Sequence, residues 1–134
     1  MDKVRHFAGL FLLYTVRMEG LSHYEKEDRP WGNYERFTLN EKSTVKIITV
    51  NPGEEFSLQS HKHRGEFWRI LSGTGVITLD DKQQTIHAGE NFFSPVGHEH
   101  RMEGGPDGLV FLEIAFGDFA ENDIIRLEDK YGRV

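Results

Sequence analysis

The residues best suited to chemistry in this sequence are its histidines. Five of the seven, His61, His63, His87, His98 and His100, fall within forty residues, and the chain has no cysteine. Any metal site must therefore be built from imidazole and carboxylate, since thiolate ligands are absent. His61-Lys62-His63 puts two imidazoles on one face if the segment is extended, because side chains alternate along a strand. Gln59 shares their parity, Glu66 follows a short turn at Arg64-Gly65, and His100 lies 37 residues beyond His63. Inside a barrel, such a pair, a carboxylate on the neighbouring strand and one distant histidine can converge on a single cation. Three imidazoles and a carboxylate suit a first-row divalent metal and leave positions open for water or substrate. Each residue alone is a weak signal; the joint spacing carries the reading, and His87 and His98 are assigned to the ordinary surface.

The elements that must position these groups read as strands. Thr44 to Val50 is rich in β-branched residues and stops at Asn51-Pro52-Gly53. Phe67 to Leu71 stops at Ser72-Gly73, Val76 to Leu79 at Asp80-Asp81, and Gln84 to His87 at Ala88-Gly89. Asn91 to Ser94 precedes Pro95-Val96-Gly97, and Leu109 to Phe116 precedes Gly117-Asp118. Short β-type runs at this spacing, with turn residues between them, predict an all-β sandwich or barrel. Arg29-Pro30-Trp31-Gly32 predicts a turn. Asp123 to Asp129 is expected to form one short C-terminal helix.

Length and charge bound the function. A chain of 134 residues fits one domain with one core; the expected division is an N-terminal extension over 1–27 and a single domain over 28–134. The net charge of -6 argues against nucleic acid, whose affinity rests on a basic face. No polybasic run points to a membrane surface. The apolar run from Phe7 to Val16 is ten residues long, too short to span a bilayer. Asp2 before it and Arg17-Met18-Glu19 after it argue against a secretory signal, so a cytoplasmic protein is expected. That run is read as a buried segment at the domain edge, suited to a dimer contact.

The spacing of the histidines resembles the two motifs of the cupin superfamily. The first is Gly53, seven residues, His61-Lys62-His63, two residues, Glu66, six residues, Gly73; the second is Gly89, five residues, Pro95-Val96-Gly97, two residues, His100. The first motif departs by a longer leading gap and a shorter gap before Glu66, and Gly104 stands where asparagine is common. The flanks Arg29-Pro30-Trp31-Gly32, the run from Ser57 to Trp68 and the run from Ile125 to Arg133 look like type II mannose-6-phosphate isomerases. In that family the cupin domain is usually the C-terminal part of a bifunctional mannose-1-phosphate guanylyltransferase. The resemblance covers about residues 28 to 133. It departs at Phe67, where the family has histidine, and at Ala115-Phe116-Gly117-Asp118, which lacks the usual glutamine.

The resemblance implies a double-stranded β-helix, or jelly-roll barrel, forming a homodimer, and a divalent metal (Zn, Mn, Fe, Ni or Co) on His61, His63, Glu66 and His100. Gln59 is a replacement or fifth ligand, because related isomerases use a Gln-x-His pair. It implies isomerisation of a phosphorylated hexose, most simply mannose-6-phosphate to fructose-6-phosphate, by moving a proton between C1 and C2 through an enediol. Glu113 is the leading proton shuttle and Glu99 a weaker one. A dianionic substrate approaching an acidic protein needs a local basic cluster, and Lys46, Arg64, Arg101 and Arg126 match basic positions of the family, with Arg126 favoured by its whole local motif. Two other readings stay open: a cupin that binds a sugar phosphate without turnover, and an iron-dependent dioxygenase using three histidines and a glutamate.

Overall fold

The computed structural model describes residues 2–7, 10–15 and 18–134, the first two stretches by backbone alone. The chain divides into two compact units, Met1–Glu41 and Lys42–Val134. In the first unit, strands β1 (Asp2–Phe7) and β2 (Leu10–Thr15) pair antiparallel. The side chains of the Phe7 to Val16 run, and so the expectation that they are buried, lie outside the described residues. β3 (Glu25–Arg29) and β4 (Gly32–Arg36) form a second hairpin whose register closes at Arg29 opposite Gly32. Pro30 and Trp31 are therefore its turn, as their sequence predicts.

The second unit is one seven-stranded antiparallel sheet folded on itself. Its strands are β5 (Ser43–Val50), β6 (Leu58–Ser60), β7 (Glu66–Leu79), β8 (Lys82–His87), β9 (Asn91–Ser94), β10 (His100–Phe116) and β11 (Ile125–Glu128). The order is β11-β6-β10-β7-β8, with β5 also on β10 and β9 also on β7. Two long strands, β7 and β10, form the spine. The last part of β7 pairs with the first part of β10 and with β8, while its first part pairs with the end of β10 and with β9. The ladder shifts register between Gly104 and Leu109, an irregularity of the kind that bends a strand. The two halves close on a shared core: Val50, Trp68, Ile70, Leu109 and Phe111 from one, Ile77, Ile86 and Met102 from the other.

The all-β expectation is met, and two local expectations are not. Ser72-Gly73 does not end a strand; β7 runs through it. Gly73 has φ +79° and its α-carbon faces the Gly108 carbonyl so closely that an added Cβ would sit 2.1 Å from that oxygen. Glycine is thus the residue that lets the spine bend without stopping. Gly73→Ala is expected to cost about 2–4 kcal/mol, from left-handed strain plus the overpacked carbonyl; a urea midpoint within experimental error of the parent would contradict this. The second correction concerns the expected C-terminal helix. Among the described residues there is no helix, and Ile125–Glu128 is β11, held by antiparallel pairing to β6.

Candidate functional site

Alternation along the spine decides which side chains face the interior. Glu66, Trp68 and Ile70 share one face of β7, and Glu113 lies directly opposite Trp68 on one side and Lys46 on the other. At the other half of the sheet, His100 pairs with Gln59 of β6, and Arg126 of β11 pairs with Gln59 in turn. These two rows meet around Glu66.

His61, Glu66 and His100 form the cluster. Their ligand atoms lie within 4.8 Å of one another and all three residues are buried. Glu66 Oε1 is 3.2 Å from Nε2 of His61 and 3.2 Å from Nε2 of His100. Yet His61 Nε2 and Glu66 Oε1 are buried without a hydrogen bond of acceptable geometry. A buried polar atom left bare costs about 1–3 kcal/mol, so bare lone pairs aimed at one point fit a cation between them. Imidazole and carboxylate are also the donor types that hold first-row divalent ions. Gln59 joins this group: its side-chain amide is 3.4 Å from His100 Nε2 and accepts from the Ser57 hydroxyl at 2.8 Å. Turning the amide over would present its oxygen to the same point, and the two orientations differ only in hydrogen-bond partners.

His63 is not brought to this point. β6 ends at Ser60, so the backbone is no longer extended through residues 61 to 63, and the backbone N–H groups of Lys62 and His63 instead donate to the Asp123 carboxylate at 2.8 and 3.0 Å. The His63 ring is exposed, and with Lys62, Asp123 and Ile125 it lines an open cavity of about 300 Å³ outside the cluster. The place beside Glu66 is taken by Arg64, whose Nε donates to Glu66 Oε2 at 3.0 Å and whose Nη1 donates to the Ala120 carbonyl at 3.0 Å. The Arg64 guanidinium also lies 4.3 Å from the Phe119 ring centre.

The other basic residues divide into engaged and free. Lys46 bonds Glu121 at 3.1 Å and sits 4.4 Å from the Phe119 ring centre. Arg101 donates to the Phe56 and Glu128 carbonyls and is 3.9 Å from Glu55. Arg126 alone of the four has no ion pair among the described residues, and its Nε is buried without a hydrogen-bond partner. Glu99 is half-buried, with its backbone N–H on Asp80, at the far end of β8's hairpin. His87 and His98 pair with Glu90 and Asp80 at the surface.

The electrostatics follow from crowding charges in a dry site. Burial would raise the Glu66 carboxyl, but His100 and His61 hold it well below the usual range. Burial lowers His100 more than Glu66 raises it; for His61 the balance is reversed, and contact with Glu66 outweighs burial. Glu113 is raised to about 7, first by burial and then by the nearby charge of Glu66, despite accepting a 3.1 Å hydrogen bond from Trp68 Nε1–H. An acid raised on folding contributes stability that is complete below its unfolded pKa of 4.5 and is lost as pH climbs to about 7. In chelator, Glu113→Gln is therefore expected to match the parent near pH 4 and to be more stable by about 3 kcal/mol at pH 8. Equal unfolding midpoints of the two proteins at pH 8 would contradict the raised Glu113.

Sequence pattern misses the two polar contacts that organise this site, Trp68 on Glu113 and Asp123 on residues 61–63. Trp68 is legible only as a core aromatic, and Asp123 lies in a loop, where no periodicity announces a partner.

A family model described as mannose-6-phosphate isomerase C-terminal matches residues 17–129. The chain is 42% identical over 125 residues to a mannose-1-phosphate guanylyltransferase of Klebsiella pneumoniae, covering 92% of this chain and 26% of that protein. It is 40% identical over 119 residues to the alginate biosynthesis protein AlgA of Pseudomonas aeruginosa, covering 87% of this chain and 24% of that one. The chain thus spans about a quarter of the length of the curated relatives it matches. Among solved structures, a Klebsiella pneumoniae protein described as having a double-stranded β-helix domain superposes with TM-score 0.57 at 18% identity, over 87% of this chain and 92% of that chain. The architecture of the second unit is accordingly the double-stranded β-helix of the cupins.

Proposed function

The chain belongs to the family of mannose-6-phosphate isomerase C-terminal domains, and from that premise we propose that it interconverts a phosphorylated aldose and ketose with the help of a divalent cation. The observation that carries the reading is the buried His61, Glu66 and His100 cluster with bare ligand atoms, set beside a glutamate that titrates near neutrality. The favoured substrate pair is mannose-6-phosphate and fructose-6-phosphate, and the role of the relatives points to sugar-nucleotide or polysaccharide synthesis.

His61, Glu66 and His100 would hold the cation, with Gln59 as the fourth protein ligand in place of His63. Bound there, the cation would polarise the adjacent sugar oxygens and stabilise the negative charge that develops on them. The chain's own residues do the rest. Glu113, raised to about 7, is matched to taking a proton from a carbon and returning it at the neighbouring carbon, because a base near the working pH exists in both forms. Trp68 Nε1–H fixes one oxygen of that carboxyl, leaving the other to work. Arg126, the one of the four basic residues without an ion pair among the described residues, supplies the phosphate anchor, and a guanidinium suits two-point contact with phosphate oxygens. Arg64 acts differently, neutralising the buried Glu66 and holding the Ala120 carbonyl.

The rival reading, binding without turnover, leans on the histidine replaced by Phe67. Phe67 is wholly buried and alternates with Glu66 and Trp68, so it faces away from the cluster and removes no ligand. Two histidines and a carboxylate also suit ferrous oxygenase chemistry, so oxygen uptake with ferrous iron would select the dioxygenase reading, since isomerisation consumes no oxygen. The test is direct. Metal-loaded protein given mannose-6-phosphate should form fructose-6-phosphate in a coupled assay, and chelator-stripped protein should not. Tight sugar-phosphate binding with no product would select the binding module instead.

A further inference from the structure

Deepening the metal-site reading and resting on it, we infer that Asp123 is a positioning residue that clamps the ligand segment by both its ends and so fixes which nitrogen of His61 is free. Its backbone carbonyl lies 2.6 Å from His61 Nδ1. A carbonyl oxygen only accepts, so Nδ1 must carry the proton and neutral His61 must leave Nε2 bare. Nε2 is the atom that faces Glu66, and among the described residues it has no hydrogen-bond partner. The carboxylate at the other end of the same residue accepts from the backbone N–H groups of Lys62 and His63. One residue thus engages three in succession, and the carboxylate holds the segment where the carbonyl can reach the ring.

Two features make the clamp rigid rather than incidental. The Asp123 side chain is only 7% exposed, so water competes poorly for its oxygens. Arg64 Nη1 also reaches the Asp123 carbonyl at 3.4 Å and the Ala120 carbonyl at 3.0 Å, tying the loop to the strand that carries Glu66. A carbonyl partner on the non-ligating nitrogen is the outer-shell contact that orients a metal-binding imidazole and raises its basicity. Here it is delivered by a loop distant in sequence and secured by that loop residue's own side chain.

The experiment uses the full chain with 15N-labelled histidine. In metal-free parent protein, at a pH where His61 is neutral, its ring should show the Nδ1–H tautomer. Asp123→Ala should shift the His61 ring signals toward the Nε2–H form and lower Co²⁺ affinity, measured by chelator competition, by about 10–100-fold. Asp123→Asn keeps an acceptor oxygen for one of the two amides and should fall between them; it also carries the test if the alanine variant does not fold. Ring signals in both variants identical to the parent would overturn the inference, whatever their metal affinity. Shifted ring signals with no Co²⁺ binding by the parent would uphold the clamp and remove the metal reading on which its purpose rests.

Discussion

Glu113→Gln should lower kcat for aldose–ketose isomerisation by about 10²–10⁴-fold, the usual worth of a positioned general base, while leaving cation affinity within about threefold. Glutamine keeps the shape of the side chain and can still accept from Trp68 Nε1–H, but it cannot take up a proton. In transition-state terms the loss is about 3–5 kcal/mol. Instability cannot explain it, because removing an acid that folding has pushed up to about 7 makes the protein more stable at neutral pH, not less. Unaltered kcat in Glu113→Gln would move the proton shuttle elsewhere in the pocket. A raised KM with unchanged kcat would make Glu113 a binding group instead.

The second large effect separates the two histidines of the His61-Lys62-His63 motif. His61→Ala is expected to weaken Co²⁺ binding by about 100-fold or more, a loss exceeding that of an outer-shell contact, whereas His63→Ala should leave it within about threefold. His61 is 3% exposed and aims Nε2 at Glu66, while His63 is on the surface. The comparison controls for surface charge, since each variant removes one imidazole from the same short segment. Gln59→Ala should show an intermediate loss if its amide oxygen is the fourth ligand. Equal losses for His61→Ala and His63→Ala would restore the motif's literal reading and require the segment to rearrange around the cation.

That contrast also shows how far residue spacing reaches. Period two holds only while a strand lasts, and β6 lasts three residues. Gln59 and His100 are a cross-strand pair and therefore obey the rule; His63 lies past the strand's end, where two backbone amides turn toward Asp123 and the rule no longer applies. The turn signals place β5, β8 and β9 well because each ends where a glycine or proline ends it. They fail at Ser72-Gly73, where glycine permits a bend within continuous pairing rather than a stop. Ile125 to Glu128 becomes a strand through its contact with β6, more than sixty positions away in the chain, which no local pattern records. The basic residues are legible as a set but not by role. Only the contacts separate Arg64, spent on Glu66, from Arg126, which has no ion pair among the described residues.

If this pocket moves a proton between adjacent carbons of a sugar phosphate, the most direct measurement watches that proton. Mannose-6-phosphate is incubated in D₂O with metal-loaded protein and followed by ¹H NMR. The parent should erase the C2–H signal of mannose-6-phosphate as fructose-6-phosphate appears, and Glu113→Gln and chelator-stripped protein should preserve it. A C2–H signal that persists at full intensity with the metal-loaded parent, under conditions where sugar phosphate is demonstrably bound, would contradict proton transfer at this site.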